Sequence, residues 1–343
     1  MKTLKKLALT LVTTLTLVIV VFSAIIYIVW IPSPQEPPYQ LLNTWGQMGR
    51  DPGQFNEPTG IAVTDDAVFV SDSRNRRIQV FDHNGQFLRQ FGHQVGAASE
   101  NLERPMNLTI AGQQLYVADY FSDMIKVYTL DGEFVRSIGR AGNKDGQFNA
   151  PGGAAVAPNG DVYVADFLNQ RIQLLNNNGK FIRQWGKTEK VGIRSGEFNY
   201  PTDVAVNHPT AHDQATNAQT AQDQAYLFVA DGYNDRIQVF SSNGEYLYKW
   251  GGPFGMNIFG RFNGWFATVT GIAIGPKGNV FVADFYNDRV QKFSNDGTFL
   301  TVFGIPGKGQ NHTAIAVDIA SDGTVFVADY ANHQIQVWQA SGL

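Results

Sequence analysis

Apolar and polar positions along most of this chain fall into short runs of five to seven residues, each closed by a turn. Residues 280–304, VFVADFYNDRVQKFSNDGTFLTVFG, show the unit most plainly. The run VFVAD predicts a buried strand, FYN a tight loop, and DRVQKF a second strand that alternates apolar and polar. Asp296-Gly297 predicts a two-residue hairpin turn, and TFLTVFG a third strand. In-register copies are counted from Asp72, Asp119, Asp166, Asp231, Asp284 and Asp329. Three residues on stands Asn75, Ser122, Asn169, Asn234, Asn287 or Asn332, and six on an Ile or Val. The Asp-to-Asp spacings are 47, 47, 65, 53 and 45 residues, in the range of propeller blades.

A fourth strand precedes each copy, at residues 60–63, 107–110, 153–156, 203–206, 271–274 and 314–317. These strands are apolar and rich in Gly and Ala, as six strands crowded around one axis require. A Gly-Gln-Phe-Asn type lead-in stands before several of them, at 53–56, 146–149 and 196–199. Five copies end in an aromatic or Ile followed by Gly, the first at Phe91-Gly92, but the sixth stops at its turn, Ser341-Gly342. Trp45-Gly46 supplies the missing ending. Residues 39–46 are therefore expected to complete the last blade, closing a ring of six four-stranded blades and leaving no bare sheet edge between the two termini.

The first 31 residues have a different pattern. Lys2, Lys5 and Lys6 precede an apolar run at 7–31 broken only by Thr and Ser. The run is longer than the core of a cleavable signal and predicts an uncleaved transmembrane anchor with a cytoplasmic N-terminus. Residues 32–38, IPSPQEPP with its leading Ile, predict a stiff spacer, and 39–343 the propeller. Residues 207–224 form a polar insertion without periodicity, expected to be disordered. Residues 251–266, GGPFGMNIFGRFNGWF, form a Gly-rich connection carrying seven apolar side chains, expected to act as a lid or a contact surface.

Composition narrows the chemistry. The 343 residues contain no Cys, which excludes disulfides, thiol catalysis and thiolate metal sites. Beyond the N-terminal segment stand 23 basic and 30 acidic residues, a net charge of −7 that disfavours nucleic acid as a partner. No nucleophile elbow, zinc-binding helix or phosphate loop is present.

The D-x-x-N-x-[R/Q]-[I/V]-Q core, with its Asn-Gly or Asp-Gly turn and aromatic-Gly exit, resembles the NHL repeat. The resemblance implies an all-β, six-bladed β-propeller of the NHL type, here with one N-terminal transmembrane helix. It implies little about activity, because such propellers serve as binding platforms and related six-bladed propellers include lyases and hydrolases. Blade two departs from the pattern at Ser122, Met124 and Lys126.

The six repeat Asp residues stand too far apart to share one ion and are expected to fix their own loops. Arg77, Arg171, Arg236 and Arg289 are expected to pair with carboxylates of the same or the next blade, and the repeat Gln residues to bond between blades. The loop residues after each Asp all fall on one face: Tyr120, Phe121, Phe167, Tyr233, Phe285, Tyr286 and Tyr330, joined by Arg74 in blade one. With Phe259 and Trp265 of the connection they make a candidate face for a protein or small ligand. Asn107, Asp203 and His312 stand at the heads of strands in alternate blades and make a candidate site for one divalent cation. The expected function is a membrane-anchored, extracytoplasmic binding or scaffolding module without a cofactor. The alternative is an extracytoplasmic hydrolase or lyase with a metal or substrate site at the channel mouth.

Overall fold

A computed structural model describes residues 2–93, 97, 100–207, 225–304 and 314–342. Twenty-four strands form six four-stranded antiparallel sheets. In blades one to five the strands follow chain order from the axis outward. Blade one, for example, runs Pro58–Val63, Val68–Asp72, Arg77–Phe81 and Phe87–Phe91. Blade six takes three strands from the C-terminus, Ala314–Ile319, Val325–Asp329 and Gln334–Ala340, and its outermost from the start of the domain. That strand, Tyr39–Trp45, pairs antiparallel with Gln334–Ala340, from Tyr39 against Ala340 to Trp45 against Ile335, with a bulge after Leu41. Every blade thus has four strands, and the ring is closed by hydrogen bonds between its two ends.

No single centre holds the core. Among the described residues, six apolar clusters each join two adjacent blades, one cluster per junction. Between blades three and four, for instance, Tyr163 and Leu174 pack with Leu227, Val229 and Phe240. Phe55, Phe148, Phe198 and Phe266, each the Phe of a lead-in, are fully buried at these junctions. At the axis the innermost strands nearly touch. A Cβ on Gly152 of blade three would lie 2.2 Å from the carbonyl oxygen of Thr202 in blade four, so no larger residue fits there without moving a strand.

The N-terminal segment departs from expectation in two ways. The helix Lys2–Trp30 forms, but among the described residues no helix is long and apolar enough to cross a membrane, so the expected transmembrane anchor is not supported. Polar groups lie along the middle of this helix, over residues 10–24. The stretch carries four Thr, three of which (Thr10, Thr14 and Thr16) turn their hydroxyls back to carbonyls four residues earlier. Residues 32–38 do not stand away from the propeller as a spacer. Gln35 and Glu36 donate their N–H groups to Leu300 O at 2.7 and 3.0 Å, and Glu36 pairs with Lys292 at 2.5 Å. The segment is strapped along the outer strand of blade five, Phe299–Phe303. Of the polar insertion at 207–224, residues 208–224 lie outside the described residues.

Candidate ligand-binding face

Each repeat Asp is the hub that shapes the loop after it. Asp231 shows the arrangement: it accepts from Asn199 N (2.8 Å), Asn234 Nδ2 (2.9 Å), Arg236 Nε (2.7 Å) and Gln238 Nε2 (3.0 Å). Asp72, Asp166 and Asp284 repeat the set of donors. The Arg partner comes from the same repeat and is itself buried in blades one, three and four. Of the two partners expected from the sequence, the same blade or the next, the structure shows the same blade, and the pairs are interior. Arg236 spends its remaining donors on four carbonyls, those of Ile193, Arg194, Glu197 and Gly255. In blade two Met124 stands at the Arg position and Lys126, at the Gln position, supplies the cation 3.1 Å from Asp119, while Gln334 replaces the Arg in blade six. Burial pushes the carboxyls of Asp72, Asp166 and Asp231 up, and that of Asp284 up to about 6, against the pull of the Arg and N–H partners. The repeat Gln bonds toward the lead-in: Gln79, Gln173, Gln238 and Gln291 accept from the N–H of Gly53, Gly146, Gly196 and Gly264. Trp265 therefore occupies the Gln position of a lead-in written Gly-Trp-Phe-Ala, and its carbonyl accepts from Arg289 and Gln291.

A second linkage runs from blade to blade. The fourth residue after each repeat Asp has positive φ, and several of these side chains reach the next blade. His333 Nδ1, Asp123 Oδ1, Gln170 Oε1 and Asp235 Oδ1 accept the N–H groups of Glu57, Ala150, Tyr200 and Thr268, at 2.6–3.1 Å. The four receiving residues also have positive φ, between 53° and 59°. The loop face is thus hydrogen-bonded around much of the ring and holds its side chains on a rigid frame.

On that frame the aromatic residues stand in an arc. Ring centroids are 6.1 Å apart for Tyr120 and Phe167, 5.0 Å for Phe167 and Tyr200, and 5.2 Å for Tyr200 and Tyr233. Phe121 packs on Tyr120, and on the far side Phe285 packs between Tyr286 and Tyr330. Arg104 lies over the Phe121 ring at 5.3 Å, and Glu57 pairs with Arg74 at 2.5 Å and reaches Arg104 at 3.5 Å. Phe121, Tyr233 and Tyr286 are exposed, as is Arg74, while the other members of the arc are half-buried. Burial raises the phenols of Tyr120, Tyr233 and Tyr330 above their ordinary value, so all three are neutral donors near pH 7. Phe259 stands outside the arc but shares a hollow with Tyr286. Tyr200, Arg104 and Glu57 belong to the face although they lie outside the copied unit, where repeat comparison does not look.

Inside the arc the channel opens as a cavity of about 460 Å³, walled by Met106, Tyr120, Phe121, Phe167 and Ile315, with Arg104 at its edge. Its floor is polar: Asn107, Thr59, Thr202 and Thr270. Below the floor a second chamber of about 350 Å³ contains Asp203 and Asp318. The structure brings Asn107 to Asp203, as a hydrogen-bond donor to its carboxylate, and to Thr270 O at 3.3 Å. Asp203 Oδ2 accepts from Ile272 N at 3.1 Å. Burial first, and then the charge of Asp318, push the Asp203 carboxyl up to about 8, and burial lifts Asp318 to about 6. His312 lies outside the described residues, and among those described no group of three or more His, Asp or Glu is placed to hold a metal ion. Asp318 is the charged residue that the sequence reading of these strands passed over, visible as one Asp inside the otherwise apolar AIAVDI.

Six radial sheets around a channel, with the described inter-blade loops on one face, define a six-bladed β-propeller. The family is read from the repeats themselves: a family model of the NHL repeat matches residues 55–81, 148–173, 266–293 and 314–338, that is, blades one, three, five and six. The chain belongs to the NHL-repeat propellers. Blade two, with Met124 in place of Arg and Lys126 in place of Gln, and blade four, with its insertion, lie outside the matched residues. Part of the chain is 47% identical over 49 residues to Protein brain tumor of Drosophila melanogaster, covering 14% of this chain and 5% of that protein. Another part is 33% identical over 118 residues to peptidyl-glycine alpha-amidating monooxygenase A of Xenopus laevis, 34% of this chain and 11% of that one. The chain thus spans a small fraction of these relatives. Among solved structures, a streptogramin B lyase superposes with a TM-score of 0.55 at 14% identity, over 88% of this chain and 98% of its own. The WD40 propeller domain of Doa1 gives 0.57 at 14% identity, over 89% and 98%. At such identity the likeness concerns the fold.

Proposed function

We propose that this propeller is a binding module whose loop face receives an apolar or aromatic group of a protein or small ligand, without a cofactor. One observation carries the reading: a rigidly framed arc of Tyr and Phe stands on the loop face, and three of its members, Tyr120, Phe121 and Phe167, wall a largely apolar cavity of about 460 Å³. Pockets of that size and lining suit small ligands or one or two anchor side chains. Replacing both Phe285 and Tyr286 by Ala leaves the buried hubs intact. The double variant is expected to fold and to lose capture of partner from extracts of the native cell, and unchanged capture would remove this face from the function.

A second reading, a hydrolase or lyase acting from the channel, is favoured by Asp203. A carboxyl raised to about 8 keeps its proton at neutral pH and can donate it. Equal turnover of candidate esters by the native chain and Asp203→Asn would exclude it. We propose an extracytoplasmic propeller on sequence alone, because three N-terminal Lys ahead of an apolar run have the charge order of an export signal. Protease accessibility in intact cells tests that placement. The charge of −7 supports a partner other than nucleic acid, which a gel-shift titration with single-stranded RNA checks.

A further inference from the structure

The connection between blades four and five presents a run of exposed apolar side chains. Phe259 is 75% and Phe254 66% exposed, and Met256, Ile258 and Phe262 are exposed beside them. Folding has not hidden these side chains, although the same loop tucks Phe266 into the blade junction completely. Residues 251–266 contain one Arg and no acid in a domain that is acidic overall. Two non-glycine residues of the loop, Phe254 and Asn257, have positive φ, so an apolar side chain is presented at some backbone cost.

The neighbour of this loop indicates what covers it. Asn263 Nδ2 donates to Pro32 O at 3.2 Å, and the Pro32 ring lies against Gly264. Pro32 follows the N-terminal helix by one residue, and residues 35 and 36 are fixed to blade five, so the end of the helix is held at the loop. From 10 to 24 every described side chain of that helix is exposed, Leu11, Leu15, Leu17 and Phe22 among them. Two exposed apolar surfaces therefore belong to one end of the molecule. A second copy or a partner protein docked on the loop would leave the helix in water. A lipid surface covers both.

We propose that residues 253–265 dock on a bilayer surface, with Phe254, Phe259 and Phe262 at the boundary between headgroups and acyl chains and Arg261 among anionic headgroups. Contact is required, not crossing. The loop then fixes the propeller's orientation at the membrane rather than leaving it on a tether.

The absence of Cys makes the test direct. Phe259→Cys, Phe254→Cys and, on the opposite face, Asn84→Cys each carry one polarity-sensitive nitrobenzoxadiazole label. Each full chain is reconstituted in vesicles of phosphatidylcholine and phosphatidylglycerol. At positions 259 and 254 the emission shifts to the blue on adding vesicles. A lipid nitroxide at the headgroup–acyl boundary, roughly 5–10 Å deep, quenches it several-fold more than at position 84. Water-like emission at both loop positions, equal to that at 84, overturns the proposal. So does a blue shift already present without vesicles, which marks a second copy or the chain itself as the cover.

Discussion

Replacing Asp203 by Asn should make the protein less sensitive to alkali while leaving it unchanged in acid. Asp203 sits in the channel wall, 7% exposed, and its hydrogen bonds to Ile272 N and Asn107 do not offset the loss of water. Its carboxyl is pushed up to about 8, from about 3.9 in an unfolded chain. The folded state therefore holds a proton that the unfolded chain releases, so stability is lost as pH rises from about 4 to about 8 and is flat above. At about 1.4 kcal/mol per pKa unit, the loss is on the order of 5 kcal/mol across that window. Asp318, raised to about 6, adds a loss of the same sign that ends sooner. Asn keeps the shape and the acceptor oxygen but has no proton to lose. Urea unfolding followed by Trp fluorescence at pH 5, 7 and 8.5 should give midpoints that differ least at pH 5, by about 1.5 kcal/mol of stability. At pH 8.5 Asp203→Asn should have the higher midpoint, by several kcal/mol of stability. Parallel pH curves would refute the argument, because they would mean that Asp203 is ionised without penalty in the folded chain.

The buried hubs and the ring closure can be tested in the same assay. Arg236→Met leaves the Asp231 carboxylate buried beside four carbonyls that have lost their donor, and should cost about 3–5 kcal/mol. Adding Asp231→Asn should recover part of that loss, and strict additivity of the two would argue against a coupled pair. Trp45→Ala removes the side chain that packs on Phe81 at 4.5 Å where the two ends of the ring meet, and should cost about 3 kcal/mol. Hydrogen exchange should then speed up first in Tyr39–Trp45 and Gln334–Ala340, whereas uniform acceleration in all blades would place the weak point elsewhere.

Most of the fold was legible because a propeller repeats one local unit: Asp, loop, alternating strand and Asn-Gly or Asp-Gly turn are all read within about 25 residues. Closure was legible too, since Trp45-Gly46 is the ending that the sixth copy lacks. What escaped depends on contacts between repeats. The latch from Gln170 to Tyr200 N, or from Asp123 to Ala150 N, links residues about 30 apart that only the ring geometry brings together. Tyr200 joins the aromatic arc from a lead-in, so comparing loop positions alone could not find it. Arg77, Arg171 and Arg236 were expected to pair with a carboxylate, but their burial was not legible, because burial of a charge shows only when all its partners are in place. The lead-in at 264–267 was hidden by Trp265 standing where the other copies have Gln or Glu, although Gly264 and Phe266 keep the pattern. Residues 32–38 read as a free spacer because nothing in their Pro-rich sequence announces the carbonyl of Leu300 that ties them down.

The central claim is that the loop face around the cavity meets the partner. Photocrosslinking in the native cell addresses it most directly, with p-benzoylphenylalanine in place of Phe121 on that face and, separately, in place of Leu88 on an outer strand, both exposed. The account predicts a discrete crosslinked product from position 121 and none from position 88. Products of equal yield from both positions, or a product from position 88 alone, would contradict it.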